Sequence, residues 1–509
     1  MNRVRRVFGN RIQVPASTTV NREGYPAYER PIEEQYVQTL LTNTLGNTFY
    51  AMGEELLKEA AALHDRMVAE DPEFVARALP YARQKGYMRT QPIFGLAKLA
   101  QHPLFEEVFG RVILTPKDLS DFAVIVKALR GGEGGRRIKR VAGRWLASNL
   151  NEYWAIKYGG KAAGYTLRDL FRVYHPVYSE PRSNGNGVFR GVRSPLVDYV
   201  LGRDADLSAL PQVAAFERLK RAETDQEKVA AITEGRLPHE VASAFAGKSP
   251  AVWSAIVPQM PILALVRHLA TIERLGIADQ HREYIEGKLT NPEAVQNSKI
   301  LPFTFAKAFQ RVSTPWIQDA LRAAVDLSFT NLPELPGRVA VLVDRSGSME
   351  GNPVQVAALF GVALMRKANL NGRLLLFDHE VQEFHVSGRD SILSQAERIT
   401  ARGGTDLEKP VRVLLEDRDR VDTIIVITDE QQNAGSPFLR RLLEYRQKVN
   451  PAVKTFVVNV APYLRASVAP PEVDGVYYIY GWSERVLDII ALVSRGFGSM
   501  VEALRRGAA

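Results

Sequence analysis

The 509-residue chain is 46% hydrophobic and 24% charged, which suits two or more domains with buried cores and excludes a wholly disordered or coiled-coil polymer. It has no cysteine, so disulfides, thiolate metal sites and cysteine nucleophiles are ruled out, as fits a reducing compartment. The net charge of +9 is unevenly spread: 22 basic and 21 acidic residues follow Pro336, leaving 44 basic and 36 acidic before it. A basic surplus confined to the first two thirds suggests a polyanionic partner there, with a merely solvated surface as the alternative.

Met1 to Gln13 is a basic stretch without a long apolar run, so no secretory signal is expected, and no segment approaches the roughly 18 apolar residues of a spanning helix. The expectation is a soluble cytoplasmic protein without membrane contact. Residues 1–30 read as a basic arm carrying Arg3, Arg5, Arg6 and Arg11. From 31 to 335 apolar residues recur at helical spacing: Leu56 to Glu70, Pro72 to Lys85, Pro92 to Ala100, Asp118 to Leu129, Arg137 to Leu150 and Thr166 to Tyr174. Pro211 to Arg221, Gln226 to Thr233, Pro250 to Leu275 and Ala294 to Ile300 continue the pattern. Asp71-Pro72 and Thr224-Asp225 have the form of helix starts. Helices arriving in pairs without intervening strands predict a divergent helical-repeat array or a compact bundle.

A Pro/Gly-rich linker, Asn331 to Gly337, ends that rhythm. From 336 to 509, Val/Ile-rich runs at Val339 to Val343, Leu374 to Phe377, Thr423 to Ile427, Thr455 to Val460 and Val476 to Tyr480 alternate with helical stretches. Those stretches are Val354 to Lys367, Phe438 to Lys448 and Glu484 to Val493. Strands apolar on both faces and separated by helices predict a doubly wound parallel α/β sheet, with any ligand at the strands' carboxyl ends.

The chemistry falls at that edge. The first strand runs into Asp344-Arg345-Ser346-Gly347-Ser348, a later loop offers Gly403-Gly404-Thr405-Asp406, and the third strand ends in Thr428-Asp429. All the donors are oxygens, which suits a hard divalent cation, most simply Mg2+. Ser346, Ser348 and Thr405 would bind directly, and Asp344 and Asp429 would balance charge, partly through water. A coordination place is left for a partner's acidic group; alternatively the ion simply ties three loops together. This set resembles the metal-ion-dependent adhesion site of von Willebrand A domains.

The upstream part is similar to a TROVE domain, which together with the A domain identifies the chain as resembling the Ro autoantigen family. The stretches that carry the resemblance are Leu129 to Arg137, Asp169 to Pro176, Gln259 to Leu269, Leu301-Pro302-Phe303 and Thr428 to Gly435, spread from about Ile32 to the C-terminus. The resemblance implies a HEAT-like helical ring closed by the A domain, with Y RNA on the outer surface and 3′ ends of misfolded RNA in the central hole. It further implies work with exoribonucleases, polynucleotide phosphorylase among them; separately, a monomer is expected.

Independently of family, Arg130, Arg136, Arg137, Lys139, Arg140 and Arg144 form a basic cluster opposed by Glu133 alone. Positions 136, 137, 140 and 144 share one helical face, able to hold phosphates or simply to face solvent. The resemblance adds His175 directly, with Arg172 beside it, and Lys157 and Lys161 across a small gap. A helix-end histidine bonded locally is the bland reading of His175. The glycine-rich stretch Ser183 to Arg193 reads as a basic surface loop.

Other motifs fail. Ala246-Gly247-Lys248-Ser249 has Ala242 where a phosphate loop needs its first glycine, and His239-Glu240 lacks the second histidine of a zinc protease. No catalysis is expected. The runner-up reading is a metal-dependent adaptor, whose A domain grips a partner's carboxylate while the helical array is a scaffold.

Overall fold

The computed structural model describes residues 12–132, 134–160, 164–176, 194–298, 300–330, 332, 334–470, 472–483, 489–490 and 499–507. The N-terminal arm through Arg11, Lys161 and the glycine-rich stretch 183–193 lie outside them, as does most of the expected helix Glu484 to Val493.

The chain divides into two compact units, and neither is a continuous half. One holds the residues up to Gln91, Leu301–Ala306 and everything from Arg322 onward; the other holds Pro92–Ile300 and Lys307–Leu321. The linker near 331–337 marks where helices give way to strands, but contacts group the chain differently. Packing unites residues 12–91 with the sheet.

In the first unit the sheet order is β5-β4-β3-β6-β7-β9, with β3 Val339–Asp344, β4 Gly372–Phe377, β5 Val381–Phe384, β6 Thr423–Thr428, β7 Lys454–Asn459 and β9 Val476–Tyr480. All neighbours are parallel except β4 and β5. β3 is buried along its whole length, as a central strand covered by helices on both faces must be. The half-exposed edge strand β5 was not expected, because Val-Gln-Glu-Phe has too few apolar residues to announce itself. Helices Asn352–Lys367 and Phe438–Lys448 lie near the expected positions.

The N-terminal residues complete this unit, and the stretch read as a basic arm carries two short strands. β1 Thr19–Val20 pairs with β2 Pro26–Glu29, and β2 pairs in turn with β8 Ala466–Ser467. Two- and four-residue strands are too short for any alternation to show in sequence. Helix Ile32–Thr42 follows, and its Gln38 donates to Asn459 Oδ1 at 3.1 Å and to the Ala461 carbonyl at 2.8 Å. Arg30, 1% exposed, donates to Glu430 at 2.5 Å and to Gln38 at 2.5 Å, and lies beside the Tyr478 and Tyr480 rings. Tyr480 Oη in turn donates to Glu34 at 2.9 Å.

The second unit is helical. Thr115, Thr166 and Thr224 each close a capping box with the acidic residue three positions on, so those helices start where side chains satisfy the free N–H groups. The apolar run Pro250 to Leu275 is not one helix. It breaks into Pro250–Ile256, a single turn Val257–Gln259, and Ile262–Arg274. Pro258 and Pro261 lack the N–H groups that a continuous helix would need. Helices Phe105–Val112, Glu152–Tyr158 and His239–Ala246 were not foreseen; each has eight residues or fewer, little more than two turns. Phe105, Phe109 and Phe122 pack ring against ring in the core, with Trp145 and Trp154 stacked at 5.2 Å. Among the described residues no helix is long and apolar enough to cross a membrane.

Candidate functional site

Parallel pairing in register brings the ends of β3 and β6 side by side, with Val343 opposite Ile427. Asp344 and Thr428 therefore emerge together, and Thr428 Oγ1 donates to Asp344 Oδ2 at 2.6 Å. Asp344 Oδ1 accepts from the Ser346 N–H at 2.9 Å, which curls the loop back over the strand end. That curl sets the Ser346 and Ser348 hydroxyls 3.2 Å apart.

The second loop is fastened to the first by backbone bonds, Gly347 N–H to the Gly403 carbonyl at 2.9 Å and Arg402 N–H to the Arg345 carbonyl at 2.6 Å. Gly403 sits at φ +71°, and a Cβ there would meet His379 Nδ1 at 2.4 Å, so this close approach requires glycine. Thr405 is held through its N–H by Asn433 Oδ1 at 2.9 Å, and its carbonyl accepts from the Asn433 N–H at 3.0 Å. Asp378, at the end of β4, braces the same loops: it accepts from Arg402 Nε at 2.9 Å and pairs with Arg345 at 3.1 Å. Sequence reading missed Asp378 and the positioning role of Thr428, although both lie at strand ends, which was the available signal.

All five expected ligands are buried: Asp344, Ser346, Thr405 and Asp429 at 1% exposure or less and Ser348 at 8%. Asp429 Oδ1 accepts from the Gln431 N–H at 3.0 Å, whereas Oδ2 is buried without a partner. Burial pushes both carboxyls up, Asp429 further because Asp344 stands beside it. Two buried like charges and an unanswered oxygen, next to paired hydroxyls, are costly unless a cation joins them. The donor set fits a hard divalent ion. No trio of His, Asp or Glu side chains able to hold a metal occurs among the described residues, so hydroxyls would have to complete this set.

In the helical unit, helix Gly135–Asn149 buries Ile138, Val141, Ala142 and Leu146 and turns Arg136, Arg137, Arg140 and Arg144 outward. Arg130 ends the preceding helix, also exposed, and Lys139 is half-buried. The face is only partly free. Arg140 pairs with Glu106 at 3.1 Å, Arg144 pairs with the same carboxylate, and Arg137 donates to the Gln101 carbonyl at 2.5 Å.

Gly143 brings a second element against this helix. A Cβ there would lie 2.9 Å from the Tyr174 carbonyl and 3.6 Å from Pro176 Cα. The residue between them, His175, caps helix Leu167–Tyr174 at φ +46° and is exposed, as is Arg172. Lys157 is engaged elsewhere. It pairs with Glu240 at 2.6 Å and donates to Tyr153 Oη at 2.9 Å. Burial opposes its charge, but those bonds outweigh it and hold the ammonium charged.

Residues 43–318 match the model of the TROVE domain, and residues 338–493 match that of the Ro60 vWA domain. The chain belongs to the Ro family. It is 24% identical to the RNA-binding protein RO60 of Deinococcus radiodurans over 94% of this chain and 95% of that one. The RNA-binding protein RO60 of Caenorhabditis elegans is also 24% identical, over 77% of this chain and 72% of its own length. The crystal structure of the Deinococcus radiodurans RO (RSR) protein shares the fold with a TM-score of 0.67 at 22% identity, covering 94% of this chain and all of that one.

Proposed function

We propose that this Ro-family chain binds RNA through its helical unit. The observation that carries this reading is the outward arginine face of helix Gly135–Asn149, set against His175 by the close contact at Gly143. Guanidinium groups at helical spacing hold phosphates, and an exposed histidine beside them adds a hydrogen-bond donor or a stacking surface. Two relatives bear the name RNA-binding protein, which supports the reading and favours binding over catalysis. Arg130, Arg136, Arg137, Arg140, Arg144, Arg172 and His175 are the proposed contacts, with Lys139 at the margin; Lys157 would have to leave Glu240 to join them.

The finer reading follows the family resemblance: Y RNA on the outer surface, 3′ ends of misfolded RNA in a central hole, and RNA decay together with an exoribonuclease such as polynucleotide phosphorylase, in the cytoplasm. The sheet unit would hold Mg2+ through Ser346, Ser348 and Thr405, with Asp344 and Asp429 as its counter-charges. Filter binding with structured and 3′-tailed RNA over a salt series tests the main claim. Affinity should fall steeply with salt and exceed that for heparin; equal retention of the two polyanions would sink it. The adaptor reading has its own support in the unpartnered Asp429 Oδ2. It predicts that an acidic peptide binds only when Mg2+ is present.

A further inference from the structure

The cation site does not face open solvent alone. The turn between β1 and β2 lies on the loop that begins at Asp429, pinned at three points. Asn21 Nδ2 donates to the Gln432 carbonyl at 2.7 Å, the Arg22 N–H to Gln431 Oε1 at 2.9 Å, and Tyr25 Oη to the Gly435 carbonyl at 2.8 Å. The turn is also rigid in itself, because Asn21 Oδ1 accepts from both the Glu23 and Tyr25 N–H groups, at 3.0 and 2.9 Å. Its tip presents the exposed Glu23 carboxylate, which accepts from Tyr50 Oη. The Tyr50 ring packs edge-on against Tyr463 at 5.4 Å, and its hydroxyl stands close enough to Asp429 and Ser348 for both to act on it electrostatically. Among the described residues no cationic side chain pairs with Glu23; its neighbour Arg22 turns away to Glu55 and Glu59.

Glu23 thus stands on a turn packed against the loop that follows Asp429, one phenol removed from the Asp344–Asp429 cluster. We propose that Glu23, held by Tyr50, is this chain's own acidic ligand for the cation site, so that a bound divalent ion fastens the N-terminal turn to the sheet. This rests on the cation reading of the Asp344–Asp429 cluster and replaces a separate protein partner with a segment of the same polypeptide. The buried, unanswered Asp429 Oδ2 supports an ion there independently of Glu23. Three direct protein oxygens leave a six-coordinate ion with places still to fill, and a tethered carboxylate is favoured over a free one by its high effective concentration.

The test uses the full chain and Mn2+ as a spectroscopically visible divalent ion. Titration followed by electron paramagnetic resonance should give a Kd about tenfold higher for Glu23→Gln and about threefold higher for Tyr50→Phe than for the parent. Added acetate should restore much of the affinity of Glu23→Ala. In hydrogen exchange, Mn2+ should slow the amides of residues 17–29 in the parent and not in Glu23→Gln. Unchanged Kd values with cation-independent exchange in that turn would overturn the proposal while leaving the cation site standing. A parent chain that binds no Mn2+ overturns the cation reading as well, a result that needs no Glu23 variant to see.

Discussion

Arg30 and Arg144 each meet a glutamate, the first sealed from water against Glu430, the second on an open helix face against Glu106. The same chemical pair does different work in the two units. Inside the sheet unit neither partner can be hydrated if the other leaves, so the pair specifies one arrangement of the N-terminal segment on the sheet. On the helical unit each partner keeps its water, the pairing adds little stability, and the arginines stay available for exchange with another anion. Buried charge fixes geometry; exposed charge sets a field.

Removing Glu430 gives the largest expected effect. Glu430→Ala should strand Arg30 and cost about 3–5 kcal/mol in urea unfolding; a loss under about 1 kcal/mol would show that the buried pair does not hold the N-terminal segment in place. The counterpart in the other unit, Glu106→Gln, should leave urea stability within error.

The Asp344–Asp429 cluster sharpens the same contrast through pH. Its carboxyls are pushed up to about 6 for Asp344 and about 7 for Asp429, above the ordinary carboxylate range. The folded chain then holds protons that the unfolded chain has released. The contribution of this pair to stability in chelator is therefore full below about pH 4, the unfolded value, and is lost as pH rises through 6 to 7. Saturating Mg2+ should abolish that fall. Asp429→Asn should match or exceed the parent in chelator yet gain nothing from Mg2+; a parent with a flat pH profile in chelator would refute the buried-charge argument. Asp344→Ala should lose Mn2+ binding while RNA affinity stays within about twofold, since phosphate contacts set that affinity and none is assigned to the sheet unit.

On the helical unit, neutralising Arg136, Arg137 and Arg140 should weaken RNA binding by one to two orders of magnitude and flatten the salt slope by about 2. An unchanged slope would remove this face from the interface. The smallest effect belongs to Glu106→Gln, which frees Arg140 and Arg144 and should raise RNA affinity about twofold. Equal affinity would mean that the two arginines already exchange partners at no cost.

How much of this was legible in the sequence follows the same division. Long apolar runs declared themselves, because a β-strand covered on both faces must be apolar throughout and a helix of three or more turns shows its period; β9 Val476–Tyr480 and helix Pro211–Arg221 came out residue for residue. That these oxygen-bearing residues gather was readable, because Asp344, Ser346 and Ser348 follow one another at the end of a strand and Asp429 directly follows another. What covers that set was not readable. Glu23 and Tyr50 lie about three hundred residues upstream in segments without period, and the packing of their turn on the loop after Asp429 is a product of tertiary structure alone. Likewise the basic cluster was visible as composition, but its neutralisation by Glu106 depends on how helix Phe105–Val112 packs against Gly135–Asn149.

The pairing of β2 with β8 joins Tyr28 to Ser467 across most of the polypeptide. A ribosome making this chain releases the first half of that contact long before the second exists. The nascent N-terminal turn must wait, with its polar groups served by water, while the roughly two hundred residues of the helical unit emerge and fold as an almost unbroken block. Assembly of the sheet unit is therefore gated by the last quarter of synthesis, and a message truncated before codon 466 would leave β2 without its partner strand β8.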